Sequence, residues 1–383
     1  HVASLGADYT ISKKTTVGVV LNTSPLNFEI NRRSYSRVLD SNKGLQSYFI
    51  TDNIAHNSNY NYSVNANLRH TFDSTGKQLS VDADYSNYHA RRPQDFVTRY
   101  IDRTGSDYLP RYLLAGDLDA WTTIRSVKAD YVHPVSQTLR LEAGLKSSYV
   151  TQDINAGFFD YSTGTYIYDS TKSNHFIYKE NINAAYINAN KDWTAWSVQL
   201  GLRVEQTIAK GDQKVYNQIF DRNYAQLFPS FAVQRHVNAN NDLGLTLSRR
   251  INRPNYEQLD PFKNYLDPST YSSGYPYLMP ELTYNIEASH TFKQRFITSF
   301  MFSYLKDPIT EVIQPSDDTT QKRVTVQTNK NLTSQLFYDL SGAYQLQYFK
   351  WWSGSINFNC YYSVFRGNIA NSNLNTGRLT ADI

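Results

Sequence analysis

The chain has one cysteine, Cys360, and nowhere a run of apolar residues approaching the roughly 18 that a membrane-spanning helix needs. A single thiol excludes an internal disulfide, and with it a small disulfide-stapled secreted fold. Cys360 falls in register with Ile356, Phe358 and Tyr362 and reads as a small apolar residue on their face. The missing apolar runs exclude a helical membrane protein. They do not exclude a membrane-spanning sheet, in which only alternate residues meet lipid. Strong charge is missing too. The net charge is +4 over 383 residues, and the basic residues are scattered rather than gathered along a stripe, so no nucleic-acid partner is indicated. The sequence also lacks H-E-x-x-H, C-x-x-C, G-x-S-x-G and any Gly-rich phosphate loop, and its eight histidines are dispersed. Neither an enzyme nor a metal or other cofactor is expected. Nothing resembles a linker, so residues 1–383 read as one domain.

What is present is alternation. Leu79, Val81 and Ala83 are interleaved with Ser80, Asp82 and Asp84. Leu139, Leu141 and Leu145 lie in a run with Arg140, Glu142 and Lys146, and Val198, Leu200 and Leu202 alternate with Gln199, Gly201 and Arg203. Leu243, Leu245 and Leu247 follow the same rhythm. Successive side chains of a strand point to opposite faces, so each segment has an apolar face and a wet one. The twelve apolar residues named are expected to face lipid. Lys128 and Asp130, with Asp82, Asp84, Arg140, Glu142, Lys146, Arg203 and Glu205, are expected on the wet face. Mean hydropathy is −0.55 and aromatics are plentiful, with 31 Tyr and 19 Phe. In a bilayer every backbone polar group must be paired internally, so a sheet spans only as a closed barrel.

Turn chemistry falls at Ser12–Lys14, Asp73–Lys77, His133–Ser136, Asn190–Asp192, Asn238–Asp242, Phe292–Arg295 and Phe349-Lys350. Long polar segments lie between these turns, near 31–57, 90–120, 153–175, 211–224, 253–280, 307–332 and 365–376. Short turns at one end and long loops at the other are the outer-membrane arrangement, periplasmic and extracellular respectively. The alternation yields about 14 strands and part of another, each about 9–15 residues long. Soluble sandwiches and propellers alternate too, but with strands of about 5–6 residues. Trp193 and Trp196 flank one short turn and Trp351 and Trp352 follow another, at headgroup level. The fold class read from this is all-β, an antiparallel transmembrane β-barrel. Gly377–Ile383 looks like the start of a strand, and the chain reads as an internal portion of a longer protein.

One stretch is more specific than periodicity. It reads "SRRINRP" (Ser248–Pro254), then "LDPF" (Leu259–Phe262), "DP" (Asp267-Pro268) and "GYPYLMPEL" (Gly274–Leu282). A second reads "SYLKDPITEVIQP", followed by "TNKNLTSQLFYDLSGAYQ". These motifs, with the rhythm of the whole, resemble TonB-dependent receptor barrels, in particular the outer-membrane β-barrel family common in Bacteroidota-type Gram-negative bacteria. The motif residues carried by the resemblance are Arg250, Arg253, Pro254, Leu259, Pro261, Phe262, Pro268, Gly274, Pro276, Leu278, Pro280 and Glu281. The five prolines stiffen the loop, and Glu281 is placed to pair with Arg249, Arg250 or Arg253. Such a loop either caps its own strands or touches cargo.

The resemblance implies a 22-stranded barrel filled by a plug domain and driven by the inner-membrane TonB complex, neither plug nor TonB box lying in this chain. It implies uptake of a scarce solute, with outer-membrane lipid and lipopolysaccharide around the wall and, as a further partner, a surface lipoprotein. A plugless porin, a scaffold barrel of a surface or secretion complex, and a membrane-embedded barrel hydrolase stay open as alternatives. Aromatic clusters in the long segments are candidate ligand contacts: Phe158, Phe159, Tyr166 and Tyr168 in one, Tyr265, Tyr271, Tyr275 and Tyr277 in another. Arg32, Arg33, Arg91, Arg92 and Arg103 are candidates for an anionic ligand or the anionic outer leaflet.

Overall fold

The alternating segments form one large antiparallel sheet in a computed structural model that describes residues 2–215, 217–316, 324–349, 351–369 and 372–382. In chain order the strands are β1 (Ala3–Ser12), β2 (Thr15–Thr23), β3 (Leu26–Leu39), β4 (Leu45–Thr71), β5 (Gln78–Asp102), β6 (Tyr112–Pro134) and β7 (Leu139–Asp160). The two-residue β8 (Ile167–Tyr168) precedes β9 (Asn174–Asp192), β10 (Trp196–Gln213), β11 (Gln218–Asn238) and β12 (Asn241–Asn252). An insertion follows, with helix α1 (Tyr256–Leu259), β13 (Asn264–Asp267) and β14 (Thr270–Ser273). The sheet resumes at β15 (Glu281–Phe292) and β16 (Phe296–Lys306), gives way to a hairpin of β17 (Ile309–Pro315) and β18 (Thr325–Asn331), and ends with β19 (Ser334–Phe349), β20 (Trp352–Ile369) and β21 (Ser372–Asp382).

Each pass pairs antiparallel with the next, leaving β1 and β21 as edges that are not paired with each other among the described residues. β2 and β3 both pair with β4, on Tyr62–His70 and Leu45–Asn59, and are parted at Ser24-Pro25, where proline offers no ladder N–H. They are one interrupted pass. With β8 set aside, the 17-stranded sheet therefore makes fifteen passes, which matches the expected fourteen and part of another. The expected short turns lie where their residues place them; Lys350 alone of those turn residues is outside the described residues, as are Tyr216, 317–323 and 370–371 of the long segments.

Strand length departs from expectation. β4 has 27 residues, β5 25, β6 23 and β7 22, so most of 31–57, 90–120 and 153–175 is strand, not loop. At about 3.3 Å per residue β4 reaches roughly 90 Å, against an apolar band of about 25 Å in such barrels. Beyond the bilayer neither face needs to be apolar, so alternation fades while the ladder continues. Cross-strand pairs occupy the outer face there, Arg33–Asp52 at 2.5 Å and Arg91–Asp117 at 2.7 Å, and Arg99 pairs with Asp107 of the β5–β6 connection at 3.0 Å. All are exposed, worth about 0–1 kcal/mol apiece.

Within the membrane the alternation holds. None of the twelve residues expected to face lipid is buried, and Leu145, Leu200, Leu202, Leu243, Leu245 and Leu247 are exposed. The opposite face carries the charge. Asp130 accepts from Tyr186 Oη and pairs with Lys128, each at 2.5 Å, and Asp84 accepts from Asn65 Nδ2 at 2.7 Å and Ser126 Oγ at 3.0 Å. Arg140 pairs with Glu142. Leu200→Arg is expected to destabilise the barrel by about 2–4 kcal/mol near mid-membrane, and Arg at Gly201's neighbour Arg203 is already tolerated because it faces inward. Reversible unfolding in detergent or lipid measures this; an unchanged midpoint in lipid would place Leu200 off the lipid face.

Candidate functional site

The insertions do not hang outward from the sheet. β13, β14, β18 and β17 form a four-stranded sheet of their own, with β14 and β18 parallel, and it lies against the inner face at the long-loop end. The local sequence explains its start. Asn255 Oδ1 accepts the N–H of Gln258 at 2.8 Å while Gln258 Oε1 accepts the N–H of Asn255 at 2.9 Å, a reciprocal cap on the single turn of α1. Asp260-Pro261 and Asp267-Pro268 then repeat one device. Each carboxylate accepts the N–H two residues on, from Phe262 at 3.1 Å and Ser269 at 2.8 Å, and each proline fixes φ between them. Gly274 lets two chain segments touch: its N–H donates to Asp260 O at 2.9 Å, and that of Tyr275 donates to Gln258 O at 2.6 Å.

Two apolar clusters dock this assembly. In one, Leu259 and Leu278 enter a pocket formed by Phe176, Tyr178, Ala209 and Phe220 of the wall. In the other, Phe262 packs among Phe96, Leu114, Ala156 and Phe158, its ring stacked on Phe158 at 5.8 Å. Leu278 is 0% exposed. Polar groups fix the register: Arg222 donates to the carbonyls of Leu278 and Pro276, and Arg253 Nη2 donates to Glu205 Oε2 at 2.6 Å and Thr207 Oγ1 at 3.0 Å. Asn331 Nδ2 donates to Met279 O at 2.9 Å and its Oδ1 accepts the N–H of Met279 at 2.8 Å. Arg222 carries no motif signal, and Asn331 lies in the second quoted stretch with nothing there to single it out; their partners are backbone groups distant in sequence, so only the fold brings them into view.

Between wall and insertion lies a cavity of about 630 Å³. Its walls are rich in amides and hydroxyls, among them Thr122, Gln152, Gln258, Asn264 and Asn329, with Tyr88 and Phe262 as the aromatic surfaces. Arg92, Glu257, Asp260 and Glu311 also line it. Burial, reinforced by Glu257, pushes the Asp260 carboxyl from the ordinary 3.8 up to about 7, against the pull of the Phe262 N–H. The docked loop therefore keeps a proton that the undocked loop gives up. Docking is strongest at acidic pH and weakens as pH rises from about 4 to about 7. Asp260→Asn retains the acceptor oxygen and is expected to flatten that dependence. Hydrogen exchange at Gly274 and Tyr275, corrected for intrinsic rates, measures it; an equal slope in wild type and variant would remove Asp260 as its cause.

The sequence-stretch residues are placed as follows. Leu259, Phe262, Leu278 and Pro280 are buried, Pro254, Pro261, Pro268, Gly274 and Pro276 are half-buried, and Arg250 is exposed. Glu281 is half-buried and forms no ion pair with Arg249, Arg250 or Arg253 among the described residues; Arg253 reaches Glu205 instead, and Arg249 bonds Leu227 O and Gln226. The pairing expected from nearness in sequence yields to a partner 48 residues away in sequence, across the lumen wall. The aromatic clusters divide by parity. Phe158 and Tyr271 are buried, Phe158 touching Tyr265 edge-on at 5.9 Å and Tyr271 lying 5.6 Å from Tyr265. Phe159 turns to the other face and meets Tyr168 at 5.6 Å; Tyr166 and Tyr168 are exposed. Tyr275 and Tyr277 are exposed beside each other at 5.6 Å. Of the basic residues, Arg33 and Arg91 are held by carboxylates, and Arg32, Arg33 and Arg92 line a cavity.

Comparison with known proteins accords with this architecture. The model of the outer membrane protein beta-barrel family matches residues 70–382. No curated protein matches the chain. Among solved structures, the FpvAI–pyocin S2 complex aligns at 12% identity over 99% of this chain and 60% of that one, with a TM-score of 0.53. The siderophore receptor PirA from Pseudomonas aeruginosa aligns at 11% identity over 99% of this chain and 71% of its own, TM-score 0.45. The copper transporter OprC aligns at 12% identity, over 99% and 63%, TM-score 0.47. The chain thus spans 60% to 71% of the length of these three, and at 12% identity the likeness to the FpvAI–pyocin S2 complex is one of fold. The family match covers most of the sequence, from the end of β4 through β21: the chain belongs to the outer membrane protein beta-barrel family and is an outer-membrane β-barrel chain.

Proposed function

We propose that this barrel wall belongs to a TonB-dependent receptor that binds a scarce solute at its extracellular mouth and passes it to the periplasm when a plug domain is moved. The observation that carries the reading is the docked insertion. An open diffusion pore gains nothing from a proline-stiffened sheet anchored across its lumen, whereas a receptor needs an ordered surface there. Stiffness lowers the entropy lost when a ligand is held. The polar wall below, with Asp84, Asp130, Tyr186, Arg140 and Glu142, supplies hydrogen-bonding groups suited to a plug. The function assigned is transport rather than catalysis, and the partners are the plug, the TonB complex and outer-membrane lipid and lipopolysaccharide. Ligand contact falls to the 630 Å³ cavity and to the exposed rings of Tyr275 and Tyr277, which follow its lining residue Gly274 in the chain.

The test is depletion of solutes from spent medium, followed by mass spectrometry. Cells carrying the full-length receptor are expected to deplete a small set of solutes only while TonB is present. Depletion that survives loss of TonB would make the barrel a porin. Tyr275→Ala with Tyr277→Ala is expected to lower uptake by about fivefold to a hundredfold at normal surface abundance, given about 1–3 kcal/mol for two aromatic contacts. Unchanged uptake would leave those rings as loop structure.

A further inference from the structure

Parity separates two pairs of neighbouring arginines. Arg33 and Arg91 point outward, and each takes a cross-strand carboxylate, Asp52 and Asp117. One residue along, Arg32 and Arg92 turn to the lumen, where both line a cavity of about 270 Å³ that Arg33, held by Asp52, also borders. Neither forms an ion pair among the described residues. Arg92 Nη2 donates to Asn264 Oδ1 at 3.3 Å, while its Nε is buried with no acceptor. Two further groups in the same lining are in the same condition: Ser34 Oγ, and Nδ2 of Asn53, a residue only 8% exposed. Buried polar groups are ordinarily satisfied, and a charged donor left without an acceptor costs most. Here three such groups, the guanidinium of Arg32 and that of Arg33, already paired with Asp52, border one space that holds no carboxylate in its lining.

We propose that this cavity is an anion site that takes a carboxylate or phosphate group of a ligand entering from the extracellular mouth. Guanidinium groups match the two-oxygen edge of both anions, and Asn53 and Ser34 supply the neutral donors that fix its orientation. Arg92 and Asn264 line the larger cavity as well, so an anion held by Arg92 leaves the remainder of its ligand next door, among amides, hydroxyls and the acidic side chains of Glu257, Asp260 and Glu311. The anion site rests on its own geometry; that the anion is part of the cargo rests on the transport reading above.

The full-length receptor, purified in detergent, is titrated with inorganic phosphate and with acetate at constant ionic strength set by chloride. The expected result is a saturable rise in melting temperature beyond that with chloride. Arg32→Gln and Arg92→Gln are each expected to weaken the apparent affinity tenfold or more, and Arg91→Gln, which lies outside the cavity lining and pairs with Asp117, to leave it unchanged. Asn53→Asp places a carboxylate among the arginines. It is expected to raise the melting temperature without added anion and to abolish the response to phosphate, the opposite sign from a packing defect. No saturable response in the wild type, a full response in both lumenal arginine variants, or a less stable Asn53→Asp variant would overturn the anion site. Phosphate binding lost in Arg92→Gln while TonB-dependent depletion stays intact overturns only its link to cargo; depletion independent of TonB overturns the transport reading and leaves the anion site standing.

Discussion

Gly274→Ala is expected to release the insertion from the lumen while the barrel wall still assembles. A Cβ at this position would lie 2.5 Å from the carbonyl oxygens of Asp260 and Glu257 and 2.6 Å from that of Gln258. All three are backbone atoms in the capped turn that starts the insertion, so no side-chain rotation relieves the contact. Moving the 274 segment away breaks the bonds from Gly274 to Asp260 and from Tyr275 to Gln258, and with them the register that carries Leu278 into its pocket. Leu259, Phe262 and Leu278 each contribute roughly 1.5–3 kcal/mol by burial, so undocking forfeits several kcal/mol and the released loop does not settle back. The wall pairs strand to strand without the insertion, so surface abundance should persist. Limited proteolysis of intact cells reads the outcome as new cleavage between β12 and β15. Gly6→Ala is the control, because its Cβ would meet only ordinary contacts at 3.5 and 3.6 Å. A wild-type digestion pattern in Gly274→Ala would mean that the turn can shift without undocking.

The same glycine shows what the sequence makes legible. "GYPYLMPEL" stands out as a motif, and its prolines announce a stiff segment, but its direction is not written in it. Whether such a loop leans outward to solvent or folds inward depends on the wall it meets. Part of the wall's answer was visible. Phe96 and Phe158 recur in segments taken as loop, each flanked by residues of opposite parity, and both prove to be buried against Phe262. Read as strand, those segments expose a lumenal apolar face that needs a partner. The sequence makes them look like loop because beyond the bilayer the outer face turns to cross-strand ion pairs, and the alternation on which strand recognition depends disappears. The pass count was robust for the converse reason: lipid demands an apolar outer face on every crossing. Tyrosine is the least legible of the residues singled out. Tyr271 and Tyr277 are six apart in one loop, yet one is buried and the other exposed, a difference set by the small β13–β14 sheet and not by composition.

Electrostatics at the root of the insertion leads to the second large expected effect. Glu205 lies between two guanidiniums, accepting from Arg203 Nε at 2.5 Å and from Arg253 Nη2 at 2.6 Å. Its side chain is 9% exposed and that of Arg253 21%, so water screens the second pair weakly. The two halves of this triad are not equivalent. Removing the carboxylate in Glu205→Gln leaves two cations facing a neutral amide in a poorly solvated wall, an expected loss of about 3–5 kcal/mol. Removing one cation in Arg253→Gln leaves Glu205 paired with Arg203, and the expected loss is that of one charged hydrogen bond, about 1.5–3 kcal/mol. The double variant should be less damaged than the sum of the two, because the second change removes a charge that the first left unpaired. Arg253 is also the first residue beyond β12, one residue after Asn252, so its loss should loosen the insertion before it weakens the wall. Unfolding midpoints in detergent measure the wall, and cleavage of the insertion measures its docking, for the two single variants and the double. Equal losses from Glu205→Gln and Arg253→Gln would show that Glu205 is solvated well enough to stand alone, and the triad would then be a surface feature of the lumen rather than the tether of the loop.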